Sequence, residues 1–132
     1  MYTEKEILAM GYQPAPVDYF TGKAWLKSYV SPDEKTNAYI GEVLFEPGTR
    51  TKWHTHESNQ ILLVREGTCY YQEEGKSIQK IKAGDFVNIM PKVKHWHGTS
   101  PDNIMIHTAI GLNAEKGPVN WMEPVSDKEY LY

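Results

Sequence analysis

From Lys23 to Leu112 the chain never runs far without a turn signal. Breaks fall at Ser31-Pro32-Asp33, Glu46-Pro47-Gly48-Thr49, Gly67, Glu74-Gly75-Lys76 and Ala83-Gly84-Asp85. Proline fixes φ and removes a backbone donor, and glycine admits the left-handed region, so each cluster ends the element before it. What lies between them is a series of short runs. They read as strands: Lys23 to Val30, Tyr39 to Glu46, Gln60 to Arg65, Thr68 to Glu73, Ser77 to Ile81, Phe86 to Met90 and Asn103 to Leu112. Short strands with turn signals about every eight to twelve residues predict a β-sandwich or barrel. Tyr39, Gly41, Val43 and Phe45 share one face of their strand while Glu42 and Glu46 share the other, the period of a half-buried strand. Gln60 to Arg65 is nearly all apolar, which predicts cover on both faces.

The two ends differ from this texture. Thr3 with Glu6 forms a capping-box pattern ahead of Ile7, Leu8 and Met10, and Gly11 closes that short helix. Gln13-Pro14-Ala15-Pro16 is an extended connector. Ser126 to Glu129 can cap a last helical turn. The expected layout is one all-β domain over 1–132, with a helix and arm at 1–22, a core barrel at about 23–112 and a tail at 113–132.

Composition removes several functions. The 132 residues carry a formal charge of -3, which gives no electrostatic footprint for nucleic acid or an anionic membrane. No apolar run reaches membrane-spanning length. The opening segment holds Glu4 and Glu6 and lacks a basic start before an apolar stretch, so no secretory signal is expected. Cys69 is the single cysteine, which excludes an internal disulfide and a cysteine zinc cluster. A cytoplasmic location is the simplest expectation. Flanked by Tyr70 and Tyr71, Cys69 reads as a packed residue.

All five histidines, His54, His56, His95, His97 and His107, fall between residues 54 and 107. His54 and His56 stand at i and i+2, so on a strand both imidazoles reach one point. Gln60 opens the next strand and points inward with Leu62 and Val64. A fourth group must come from a distant strand, and His95 is the natural candidate. Three imidazoles and a carbonyl oxygen suit a divalent first-row ion and leave coordination positions open.

The pattern Gly48-x5-His54-x-His56-x3-Gln60-x6-Gly67 resembles the first motif of the cupin family, with glutamine where the family usually has glutamate. Gly84 and His95 stand as in the second motif, but Met90 occupies its proline slot, Lys92 its glycine slot and Thr99 its asparagine slot. The resemblance implies a single double-stranded β-helix, or jelly-roll, barrel with short terminal helices. The strings Phe45-Glu46-Pro47-Gly48, Trp53-His54-Thr55-His56, Lys94-His95-Trp96-His97-Gly98 and Trp121-Met122-Glu123 resemble small bacterial cupins that include manganese-dependent hydroxynitrile lyases. Those proteins hold the metal with three histidines and one glutamine. The same resemblance implies that Thr51, His97 and His107 line the pocket, with Gly41, Val43 and Gly111 shaping its wall.

Gln60 in place of glutamate leaves a divalent ion its full charge, which favours a Lewis-acid role. The expected activity is cleavage or formation of the C–C bond of an α-hydroxynitrile, with His97 or His107 as the base. A metal-dependent dioxygenase is one alternative, and a non-catalytic binding or sensing module is another. One manganese, iron or nickel ion per chain is expected in function, and zinc is possible in purified protein. The expected partners are a small-molecule substrate and a second copy of the chain. The homodimer is expected because Ile61 and Leu63, with Ile104, Ile106 and Ile110, leave apolar surface outside the barrel.

Overall fold

The computed structural model describes residues 2–33, 35–113 and 119–131; residues 114–118 and 132 of the expected tail lie outside the described residues. In chain order the first elements are α1 (Glu4–Ala9), β1 (Gln13–Pro14), a 3-10 turn at Val17–Tyr19, β2 (Phe20–Thr21), β3 (Ala24–Val30) and β4 (Ala38–Phe45). Then come β5 (Arg50–Thr51), β6 (His54–Thr55), β7 (Gln60–Glu66), β8 (Thr68–Glu73), β9 (Gln79–Lys82) and β10 (Phe86–Ile89). The last are β11 (His95–Thr99), β12 (Met105–Leu112), β13 (Asn120–Trp121) and α2 (Asp127–Tyr130). One sheet runs β1-β3-β4-β12-β7-β10; the other runs β13-β6-β11-β5-β2, with β8 joining β11 to β9. Every pairing is antiparallel. This is the all-β barrel with short terminal helices that the turn spacing predicts. Among the described residues no helix is long and apolar enough to cross a membrane.

Register sets the interior. β12 lies between β4 and β7, so His107 faces Val43 and Val64, Ala109 faces Gly41 and Leu62, and Gly111 faces Tyr39 and Gln60. Val43, Phe45, Leu62, Val64, Tyr71, Ile89 and Met105 pack into one buried cluster between the sheets. Cys69 is buried in the same cluster. Gly67 shows why a motif glycine stands where it does. Its φ is +77°, and a Cβ there would run into the Ile104 carbonyl.

The outer face of the first sheet departs from the sequence reading in two places. Glu42 is buried, although its alternation points it to solvent. The capping box on Thr3 and Glu6 forms α1, and Ile7 and Tyr12 then pack on Trp25, Leu44 and Ile106, covering that part of the sheet. Under this cover the Glu42 carboxylate accepts hydrogen bonds from the Tyr12 hydroxyl and the Arg65 guanidinium. The opposite correction applies to β7, where Leu63 is exposed although the apolar run predicted cover on both faces. Of the residues behind the expected dimer face, Ile106 is taken by α1, Ile61, Ile104 and Ile110 are half-buried and Leu63 is exposed; Tyr29 and Phe86, outside that expectation, are exposed as well.

The second sheet is closed by the tail. β13 pairs with β6, and α2 starts at a capping box between Ser126 and Glu129. The buried Arg50 side chain donates to the Val125 carbonyl at 2.9 Å and to Asp127 at 2.7 Å. Its guanidinium lies 4.3 Å from the Tyr130 ring centre. Tyr130 donates to the Thr99 carbonyl and joins Trp53, Trp96 and Val125 in a second buried cluster.

Candidate metal centre

Three local features bring the histidines together. β6 carries His54, and β11 runs antiparallel to it with His95 directly opposite His54. Gln60 opens β7 after the turn that follows His56. Ring centres lie 4.2 Å apart for His54 and His95, and 4.9 Å apart for His56 with each of them. One ligand atom from each of His54, His95 and His97 falls within 4.8 Å of the others. The structure thus groups His97, and not His56, with His54 and His95, whereas the expected ligand set is His54, His56, Gln60 and His95.

The orientation of two rings is fixed from behind. His54 Nδ1 lies 2.8 Å from the Lys52 carbonyl, and His95 Nδ1 lies 2.8 Å from the Val93 carbonyl. A carbonyl only accepts, so both Nδ1 atoms carry the proton and both Nε2 atoms keep a lone pair. His95 Nε2, Gln60 Oε1 and His56 Nδ1 are buried with no hydrogen-bond partner. Native proteins rarely leave such atoms unsatisfied. All are donors a divalent transition ion accepts, so the residues present fit such an ion.

The turn leading to His95 keeps its shape without glycine. Lys92, in the family's glycine slot, has a φ of +65°. Its N–H donates to the His56 carbonyl at 2.7 Å, tying this turn to the other histidine motif. Lys94 forms ion pairs with Glu74 and Glu123, the ordinary outcome for a surface lysine.

His97 and His107 form a second layer. His107 Nε2 lies 3.1 Å from His97 Nδ1, and Phe45 packs against both rings. The His97 N–H donates to Thr51 Oγ1 at 3.2 Å, so Thr51 acts on the backbone that carries the ring. Val43 faces His107 across the strands, and Gly41 and Gly111 lie on the same inner surface. Burial holds all five imidazoles neutral. His56, His95 and His107 are lowered to about 4, and His54 and His97 well below their usual value, with mutual repulsion adding to burial at His54 and His97.

Two aromatic contacts were not legible beforehand. Trp121 packs at a tilt against His54 with ring centres 4.6 Å apart, and Tyr19 stacks on Trp121 at 4.4 Å. Trp121 could be read only as a packing residue, because β13 is two residues long and its partner lies far away in sequence. Tyr39 was seen only as an inward strand position.

Residues 41–107 match the cupin domain family. An (R)-mandelonitrile lyase of Granulicella tundricola is 38% identical over 128 residues, covering 95% of this chain and 98% of that protein. The crystal structure of a cupin-like protein from Thermotoga maritima is 43% identical and superposes with a TM-score of 0.85, covering 89% of each chain. An acetylacetone dioxygenase from Acinetobacter johnsonii is 14% identical with a TM-score of 0.69, covering 98% of this chain and 78% of that one, a likeness of fold alone. Motif spacing, barrel register and these similarities agree, and the chain belongs to the cupin family.

Proposed function

We propose that this protein is a metal-dependent lyase for small α-hydroxynitriles, working in either direction between the hydroxynitrile and a carbonyl compound plus hydrogen cyanide. The observation that carries the reading is the set of buried, unpartnered donor atoms beside a hydrogen-bonded histidine pair. His54, His56, Gln60 and His95 are the ligands we assign, one ion per chain. The ion is manganese, iron or nickel in function, and zinc can fill the site on purification. We assign His97 to the base because its Nδ1 pairs with His107 Nε2, so that a proton taken by one ring can be shared with the second. The identity to a mandelonitrile lyase supports the same chemistry.

A bound divalent ion supplies Lewis acidity, which makes a substrate hydroxyl easier to deprotonate. The chain supplies the rest. Burial keeps His97 and His107 neutral at pH 7, so the pair can take the hydroxyl proton. Thr51 holds the backbone of His97, and Phe45 walls both rings away from water. As the C–C bond breaks, cyanide leaves with the bonding electrons and the carbonyl forms. The pair then returns its proton to cyanide.

The test is to load apoprotein separately with manganese, iron and zinc, then assay each form for mandelonitrile cleavage and for oxygen uptake with aromatic substrates. Cleavage with manganese and with redox-inert zinc is expected. Oxygen uptake without cleavage would favour an oxygenase, and silence in every form would favour a binding module. We also propose a homodimer that buries the exposed outer-face residues Tyr29, Leu63 and Phe86; a monomer mass by light scattering at micromolar concentration would contradict it.

A further inference from the structure

The inner surface of β4 carries Tyr39, Gly41, Val43 and Phe45, and the last two are core residues. A Cβ built on Gly41 would point inward with them. It would lie 2.9 Å from Tyr39 Cζ, and closer still to the hydroxyl. The Tyr39 ring is therefore inside the barrel mouth, turned down its own strand into the volume that Gly41 leaves free. Gly111 sits directly between Tyr39 and Gln60 across the sheet. A Cβ there would meet only Tyr39 Cβ, at 3.7 Å, so bare backbone separates the phenol from Gln60. One step deeper, about 7 Å along the strand, Ala109 lies between Gly41 and Leu62. Beside Gln60 the chain thus offers the bare backbone of Gly111 as a floor with an aromatic ring standing at its side, while Ala109 below it is already packed in the core.

We propose that Tyr39 is the specificity wall of this site, and that the floor at Gly111 takes a single flat aromatic ring carried by the substrate. The assignment rests on the site reading above. A ring on the carbon that bears the hydroxyl would lie over Gly111 and meet Tyr39 edge or face. A fused second ring would collide with Tyr39. The ring of Tyr39, not its hydroxyl, sets this limit.

Binding separates this claim from the lyase claim. Benzoate and 2-naphthoate are titrated calorimetrically into manganese-loaded protein. Wild type should prefer benzoate by about tenfold or more, the order of discrimination one misfit group commands in a pocket. Tyr39→Phe should keep the preference. Tyr39→Ala should bring the two ligands within about threefold of each other, a smaller ratio of the same kind. Gly41→Ala should weaken the preference by displacing the ring, and should add little once Tyr39 is already alanine, because the two residues share one volume. If Tyr39→Ala does not fold, Gly41→Ala carries the same test. No binding of either ligand, equal binding by wild type, or an unchanged ratio in a folded, metal-loaded Tyr39→Ala or Gly41→Ala protein would overturn the proposal. A shifted ratio in a protein that cleaves no mandelonitrile with any metal would leave the wall assigned and remove the lyase reading.

Discussion

Two buried polar regions of this barrel are built on opposite terms. Outside the first sheet, Glu42 is buried but fully engaged, with Tyr12 and Arg65 both donating to its carboxylate. Inside, His56 Nδ1, Gln60 Oε1, His95 Nε2 and His107 Nδ1 are buried with no partner. Satisfied polar groups under a packed helix are what stability requires. Unsatisfied ones cost stability, and they are concentrated where the two histidine motifs meet. Proteins depart from local rules where function demands it, which makes the inner region the candidate site and the outer one structure. Among the described residues, Arg50 Nε is the one unpartnered buried side-chain atom outside this region, and it belongs to a guanidinium already bonded to the tail.

Substitutions should separate the two regions. The largest effect is expected inside. His97→Ala or His107→Ala should lower turnover by a factor of about 100 to 10,000 while the metal stays bound. Turnover and metal content measured on the same sample check this, and loss of metal from His97→Ala would move that residue into the ligand set.

Acid should also act on the inner region. Folding depresses the pKa values of the histidines, so the unfolded chain takes up protons first as pH falls. Metal-free protein should therefore keep its full stability above the unfolded value near 6.5 and lose it progressively as pH falls through about 4, with His54 and His97 extending the loss to lower pH. Thermal melts across this window check the sign. A melting temperature that rises on acidification would contradict burial of five neutral imidazoles.

In the outer region the effect is on stability alone. Glu42→Ala leaves the buried Tyr12 hydroxyl without its acceptor and should cost about 2 kcal/mol. Metal content and turnover per folded molecule should be unchanged. Chemical denaturation with metal analysis would test both halves, and loss of metal would break the contrast between the regions.

The smallest effect concerns the turn that serves the site. Lys92 holds a left-handed φ of +65° that glycine adopts freely. Lys92→Gly should raise stability by about 0.5 to 1 kcal/mol, the strain relieved being partly offset by glycine's greater entropy loss on folding. A denaturation midpoint below wild type would contradict this.

Much of this was legible in the residues. Strand parity put His54 and His56 on one face, and motif spacing supplied Gln60 and His95. Turn residues placed β3, β4, β7, β8, β10 and β12 within a few positions. β11 was not legible, because all five of its residues are buried and its sequence shows no alternation. β5, β6 and β13 are two residues long and exist only through long-range pairing. Burial of Glu42 depends on a helix nearly forty positions earlier in the chain. The packing of Trp121 on His54 and the fold of Tyr39 over Gly41 are likewise tertiary facts with no local signature.

The central claim is that the unpartnered atoms of the inner region hold one metal ion. Manganese titrated calorimetrically into apoprotein tests it directly, in wild type and in the His56→Ala, Gln60→Ala, His95→Ala and His97→Ala proteins. The expected result is one ion per chain in wild type and in His97→Ala, with binding lost in His56→Ala and His95→Ala and weakened in Gln60→Ala. Undiminished binding in His56→Ala and His95→Ala would contradict the account.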